Sequence, residues 1–301
     1  MEQDRGCRDR ALTCAGTIDG YGPGMESVRG VESVRGVQSL RAVLIDIDGV
    51  LTVSWKPLPG AVEAIEALRS ADLPFALVTN TTSRTRTRIA RTLADAGFPV
   101  GPDDVLGAPA ATAAHLREHH PGATCLLLSS GDVADDLEGV RVVGPDADDV
   151  DVVVLGGAGP EFSYDALDTV YRHLQHGAAL VAMHRNLYWR TDAGLQLDAG
   201  AFLLGLEQAA DTEAVVLGKP SGAFFAAALS TLGVGRSETV MVGDDLEADV
   251  LGAQRAGITG VLVRTGKFRQ DTLDRWAADE FAMQPNHVID SVADLPKLLG
   301  L

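Results

Sequence analysis

The chain has 301 residues, 46% of them hydrophobic, a formal charge of −17 at pH 7 and a sequence pI near 4.7. That apolar content excludes a disordered chain, and the length suggests two domains or one domain carrying a sizeable insertion. So acidic a chain has no net positive charge to neutralise a phosphate backbone, which argues against nucleic acid as partner; an anionic ligand needs a locally positive pocket or a bound cation.

Residues 1–38 are rich in Gly, Arg, Ser and Glu, and Glu26-Ser-Val-Arg-Gly30 recurs as Glu32-Ser-Val-Arg-Gly36. They read as a disordered tail or as upstream sequence wrongly placed in the frame. From Arg41 onward strands and helices alternate. The apolar run Ala42–Ile47 predicts a strand, and Ala61, Ile65 and Leu68 predict a helix over 60–70. Phe75–Val78 reads as a strand, followed by Ser83 as N-cap of an Arg/Thr-rich helix ending at Gly97. Then come strands Thr124–Leu128 and Val152–Leu155, helix Tyr164–His176, strand Ala179–Met183 and helix Gly200–Ala210. Helix Ala223–Leu232, strand Thr239–Val242, helix Leu246–Ala256 and strands Gly260–Val263 and His287–Ile289 complete the series. Such alternation defines an α/β protein: a doubly wound, Rossmann-like parallel-sheet core with an inserted α/β cap. The expected boundaries are 39–118 for the first part of the core, 119–213 for the cap and 214–301 for the second part.

No apolar run reaches membrane-spanning length, the N-terminus lacks the apolar stretch of a signal peptide, and Cys7, Cys14 and Cys125 show no Cys-x-x-Cys spacing. The expectation is a soluble cytoplasmic protein with reduced thiols and no membrane partner.

Four stations carry chemistry. Asp46-Ile-Asp48-Gly49 ends the first strand and puts two carboxylates on one side of it, because side chains alternate with period two. Like charges that close need a cation, a proton or a lysine between them, so the pair predicts a metal, a proton-sharing couple, or both. Asp-x-Asp-Gly also occurs in turns and calcium loops, and the further stations weigh against that reading. Thr79-Asn80 ends the next strand, where a hydroxyl, an amide and backbone N–H groups suit a phosphate, though the same dipeptide serves in ordinary turns. Lys219, in Gly218-Lys219-Pro220, is a cation for a phosphoryl oxygen or a solvated side chain. Asp244-Asp245, with Asp249 beyond, offers hard oxygens for Mg²⁺ or an acidic helix start.

In this order, each near a strand end, the four stations resemble the motifs of the haloacid dehalogenase superfamily of phosphohydrolases. The α/β block between the second and third stations resembles the large-cap, type IIA branch. Within it, Thr79-Asn-Thr-Thr82, Gly243-Asp-Asp-Leu-Glu-Ala-Asp249 and Arg264-Thr-Gly-Lys267 look most like the haloacid dehalogenase-like hydrolase domain-containing protein 2 group. The phospholysine phosphohistidine inorganic pyrophosphate phosphatases are its neighbours.

The resemblance implies Asp46 as nucleophile, forming an aspartyl-phosphate, and Asp48 as general acid and base. It implies Mg²⁺ held by the Asp46 carboxylate, the Asp48 carbonyl and Asp244, with Thr79, Asn80 and Lys219 on the phosphoryl oxygens. Asp245 would reach the metal through water, and Asp249 would orient Lys219 or a water on the metal. The expected substrate is a small phosphorylated metabolite: a phosphomonoester, pyrophosphate or phosphoramidate. Large caps of this kind often dimerise, so a homodimer through the cap is a further expectation. A phosphotransferase and a catalytically quiet phosphate-binding or regulatory protein are the rival readings; the four intact stations disfavour the second.

Other signals weigh less. Gly156-Gly157-Ala158-Gly159 lacks the full Gly-x-Gly-x-x-Gly spacing and reads as a cap turn. His115, His119 and His120 lack a carboxylate or cysteine to complete a metal site. His184-Arg185-Asn186, then Tyr188 and Trp189, follow a cap strand and are candidates to line the substrate entrance, or else pack the cap.

Overall fold

The computed structural model describes residues 40–191, 194–278 and 282–301; the tail read at 1–38 lies outside them. The strands are β1 (Ala42–Asp46), β2 (Thr52–Val53), β3 (Lys56–Pro57), β4 (Phe75–Thr79), β5 (Val105–Gly107), β6 (Thr124–Leu128), β7 (Arg141–Val143), β8 (Val152–Leu155), β9 (Ala179–Ala182), β10 (Tyr188–Thr191), β11 (Gly194–Leu197), β12 (Val215–Val216), β13 (Thr239–Gly243), β14 (Thr259–Val263) and β15 (His287–Ile289). The helices are α1 (Ala61–Ser70), α2 (Arg86–Asp95), α3 (Ala108–His119), α4 (Tyr164–Gln175), α5 (Ala199–Ala210), α6 (Gly222–Leu232), α7 (Gly252–Arg255), α8 (Gln270–Ala277) and α9 (Leu295–Leu299). None of the described helices is long and apolar enough to cross a membrane.

Six strands form one parallel sheet in the order β15-β14-β13-β1-β4-β5. Its two faces use alternate residues of the same strands, as the pleat requires. Val43, Ile45, Leu77, Val242 and Val263 pack on α1, α2 and α9. Leu44, Ala76, Val78 and Met241 pack on Phe224, Phe225 and Ala228 of α6. Residues 42–46 therefore read as an unbroken apolar strand ending in a carboxylate because both faces are covered.

A second parallel sheet, β12-β9-β8-β6-β7, is built from the chain between β5 and β13. Leu126, Val153 and Leu180 face α4 and α5; Cys125, Val154 and Val181 face the Ala113 and Leu116 side of α3. Strand β12 lies beyond the boundary expected at 213 and pairs with β9 in this second sheet. Helix α3 serves both layers, since its Ala111 packs on the larger sheet's core.

Two local expectations are corrected. Helix α2 is capped by Thr85, whose hydroxyl accepts the Arg88 N–H at 3.3 Å, and not by Ser83. Ser83 instead lies under Gly131, so closely that a Cβ on the glycine would strike the Ser83 backbone. The single helix expected over Leu246–Ala256 is a π-helical turn, Leu246–Leu251, leading into α7. Both Asp249 and Val250 donate their N–H to the Asp245 carbonyl, widening the turn. That widening accompanies an inward-facing Asp249.

Candidate active site

Three stations stand at the carboxyl ends of adjacent strands. Asp46 closes β1, Thr79 closes β4, and Asp244 follows β13. β1 lies between the other two, where the winding of the sheet reverses, so the ends converge on the crevice that open α/β sheets offer to ligands. Lys219 arrives from the segment joining β12 to α6 and is only 4% exposed. Its Nζ lies 2.5 Å from Asp46 Oδ1 and 2.7 Å from Asp249 Oδ1. A buried ammonium between two buried carboxylates is a paired charge, the form in which such groups tolerate burial.

The remaining residues fall around this centre. Thr79 is buried, and its Oγ1 accepts the Thr81 N–H at 3.0 Å. The Thr81 hydroxyl donates to Asp48 Oδ2 at 3.1 Å, which fixes that carboxylate beside the site. Asn80 does not present its amide openly: Oδ1 accepts the Lys219 N–H and Nδ2 donates to the Lys219 carbonyl, both at 2.9 Å. Its observed task is to hold the lysine's backbone. Asp245 Oδ1 caps the following turn by accepting from Glu247 and Ala248, and Asp249 Oδ2 accepts the Asp245 N–H at 3.2 Å.

Carboxylate oxygens of Asp46, Asp244 and Asp249 all lie within 4.8 Å of one another. Asp244 Oδ2 accepts the Lys267 N–H at 2.7 Å, whereas its buried Oδ1 has no hydrogen-bond partner. A buried, orphaned carboxylate oxygen among other carboxylates fits a hard divalent cation such as Mg²⁺. Asp48 lies outside this carboxylate cluster, with its side chain turned to Thr81.

The charges respond accordingly. Burial, then the Asp46 and Asp249 charges, push Asp244 up to about 8. Burial likewise pushes Asp249 up to about 6, against the pull of the Lys219 ammonium. Asp46 is raised for the same first reason, with Lys219 opposing and Asp48 adding to the rise. Burial alone would lower the Lys219 pKa, but Asp249 and Asp46 outweigh it and hold it raised, so the ammonium keeps its proton.

Residues without an assigned role in the sequence reading also shape the site. Lys267 holds Asp244 through its backbone, and its Nζ stands 3.7 Å from Asp245 Oδ2. It is one of only four lysines, a rarity that could have marked it. Thr265 Oγ1 donates to the Gly49 carbonyl at 2.5 Å, pinning the turn after Asp48. Of the residues expected at the substrate entrance, His184 is buried just beyond β9, 3.9 Å from Asp198, the buried N-cap of α5, which carried no motif. Arg185 is spent elsewhere, in a two-pronged pair with Glu207 at 2.6 and 2.7 Å. Tyr188 is exposed, and the side chain of Trp189 is not among those described. The histidines of α3 stack, His115 on His119, with ring centroids 4.2 Å apart.

An acidic, lysine-centred site at the switch point of a parallel sheet, faced by a second α/β layer, defines a capped α/β protein whose site suits a divalent cation and an anionic ligand. The sequence model of haloacid dehalogenase-like hydrolases matches residues 43–142, and a related HAD-hydrolase-like model matches 216–295. Haloacid dehalogenase-like hydrolase domain-containing protein 2 from Bos taurus is 37% identical over 244 residues, covering 81% of this chain and 89% of that protein. The phospholysine phosphohistidine inorganic pyrophosphate phosphatase of Xenopus laevis is 33% identical over 258 residues, covering 83% and 93%. Among solved structures, a glycerol phosphate phosphatase from Mycobacterium tuberculosis in complex with magnesium superposes with a TM-score of 0.77 at 27% identity, covering 86% of this chain and 78% of that one. The chain belongs to the haloacid dehalogenase-like hydrolases, in their large-cap type IIA branch, and is an enzyme of phosphohydrolase type.

Proposed function

We propose that the chain is a cytoplasmic, Mg²⁺-dependent phosphatase that hydrolyses a small phosphorylated metabolite through an aspartyl-phosphate on Asp46. The observation that carries this reading is the orphaned Asp244 Oδ1, buried beside Asp46 and a lysine-neutralised Asp249. Mg²⁺ would be held by Asp46, the Asp48 carbonyl and Asp244, and supplies charge that offsets repulsion between nucleophile and phosphate. An Asp46 oxygen attacks phosphorus as the bond to the leaving oxygen breaks, and Asp48 gives that oxygen its proton. Asp48, now ionised, takes a proton from the water that attacks the aspartyl-phosphate, releasing phosphate and regenerating Asp46. Lys219 and Thr79 steady the phosphoryl oxygens, and Asn80 acts through Lys219. The magnesium named with the mycobacterial structure and the pyrophosphate named for the Xenopus relative support the metal and the substrate class.

The test is release of p-nitrophenol from p-nitrophenyl phosphate. Activity is expected with Mg²⁺, and not after chelation or in Asp46→Asn. Equal rates for wild type and variant overturn the reading.

A further inference from the structure

One tight turn after β14 touches two separate parts of the carboxylate site. The Thr265 carbonyl accepts the Phe268 N–H at 3.1 Å, so residues 265–268 close on themselves, with Gly266 at φ +61° inside the turn. Two donors on this turn reach across to the site. The Thr265 hydroxyl donates to the Gly49 carbonyl at 2.5 Å, and the Lys267 N–H donates to Asp244 Oδ2 at 2.7 Å. The backbones meet as well: a Cβ on Gly266 would strike the Gly49 Cα, and one on Gly49 the Gly266 Cα.

Each donor restrains a group that the Mg²⁺ reading above makes a ligand. With Oδ2 of Asp244 held by the Lys267 amide, rotation of that carboxylate is opposed, and the unpartnered Oδ1 is the oxygen left for a cation. On the other side, the Gly49 N–H donates to the Thr52 carbonyl at 2.7 Å. The peptide joining Asp48 to Gly49 is trans and planar, so the Asp48 carbonyl points away from Thr52. The carbonyls flanking it are taken, Ile47 by the Leu51 and Thr52 N–H groups and Gly49 by Thr265. Loss of the Thr265 hydroxyl frees the peptide after Gly49 to rotate. The Asp48–Gly49 plane follows, because both planes hinge at a Cα with no Cβ to restrain it.

We propose that Thr265 is a positioning residue of the metal site: its hydroxyl, on the same closed turn as the Lys267 amide, fixes the Asp48 carbonyl relative to Asp244 Oδ1 and so makes the site select Mg²⁺ over Ca²⁺. This rests on the Mg²⁺ reading and deepens it. Mg²⁺ demands near-ideal octahedral geometry with oxygens at about 2.0–2.1 Å, whereas Ca²⁺ accepts irregular sets at about 2.3–2.6 Å. A pair of oxygens held in place favours the smaller ion, and a loosened pair penalises it more.

The test measures metal binding without substrate, by isothermal titration of the full chain with MgCl₂ and with CaCl₂. The readout is the ratio of the two Kd values. In Thr265→Val, which keeps the branched shape and loses the hydroxyl, Kd for Mg²⁺ is expected to rise about tenfold, as when a group behind a ligand is removed. Kd for Ca²⁺ is expected to change by less than about threefold, since that ion tolerates the looser set. Thr265→Ser, which returns the hydroxyl, is expected to return the wild-type ratio. Equal weakening of both ions makes Thr265 a structural residue of the turn and overturns the proposal, as does an unchanged Mg²⁺ affinity. If the Val variant does not fold, Thr265→Ala is titrated in its place and read the same way. Failure of the wild type to bind either ion would instead sink the Mg²⁺ reading, and this proposal with it.

Discussion

Asn80 holds Lys219 by the backbone, accepting its N–H and donating to its carbonyl across 139 residues of sequence. The two residues lie on either side of the segment that forms most of the second sheet. Their pairing sets where the lysine side chain can reach, and hence the Asp46 and Asp249 contacts. Asn80→Ala is expected to lower kcat by about ten- to a hundredfold, since two buried hydrogen bonds go and the lysine's position loosens. Steady-state assays on p-nitrophenyl phosphate check this; a kcat within twofold of wild type would show that the lysine positions itself.

Lys219 neutralises two buried carboxylates at once, so its loss reaches beyond catalysis. Lys219→Met is expected to abolish turnover and to destabilise the metal-free protein by about 3–5 kcal/mol, the cost of leaving buried charge uncompensated. Urea unfolding in EDTA measures it. Adding Asp249→Asn is expected to recover part of the loss, because one orphaned charge is then removed.

The raised carboxyls give the metal-free protein a definite pH dependence. Asp244 moves from 3.8 to about 8, chiefly through burial, and Asp249 from 3.8 to about 6. A carboxyl raised on folding contributes stability that is complete below its unfolded value and lost as pH climbs through the folded one. In EDTA the wild type is therefore expected to lose melting temperature between pH 3.8 and about 8 relative to Asp244→Asn, which cannot ionise there. Mg²⁺ binds the ionised form, so the rise in melting temperature it confers is expected to be larger at pH 8 than at pH 6. Parallel pH curves for wild type and variant would contradict this account.

Gly49 (φ +90°) and Gly266 (φ +61°) lie against each other and against Asp244 Oδ2, and a Cβ on either would run into that carboxylate. Gly266→Ala is expected to raise the Mg²⁺ needed for half-maximal activity about tenfold, as when a ligand's surroundings are disturbed. Metal titration of activity decides it, and an unchanged requirement would mean that Asp244 has room to move.

The fold class was legible because buried strands such as Ala42–Asp46 leave unbroken apolar runs and amphipathic helices such as α1 leave a spaced stripe. The short edge strands β7 and β12 were not legible, because two or three half-exposed residues carry no period. Ser83 looked like a cap as much as Thr85 did; packing under Gly131 separated them.

The site divides along the same line. Sequence alone determined that Asp46, Asp48, Thr79 and Asp244 are placed at or near strand ends, because residue type and the strand pattern are local properties of a chain; the strand before Lys219 appeared only in the structure. Which atoms meet was decided only by the tertiary structure: Asn80 turned to Lys219 and away from the open site, Asp249 rolled inward by a widened turn, and Lys267 on Asp244. Those contacts join segments far apart in sequence, and their geometry depends on how two sheets and their loops pack, which no spacing along the chain encodes.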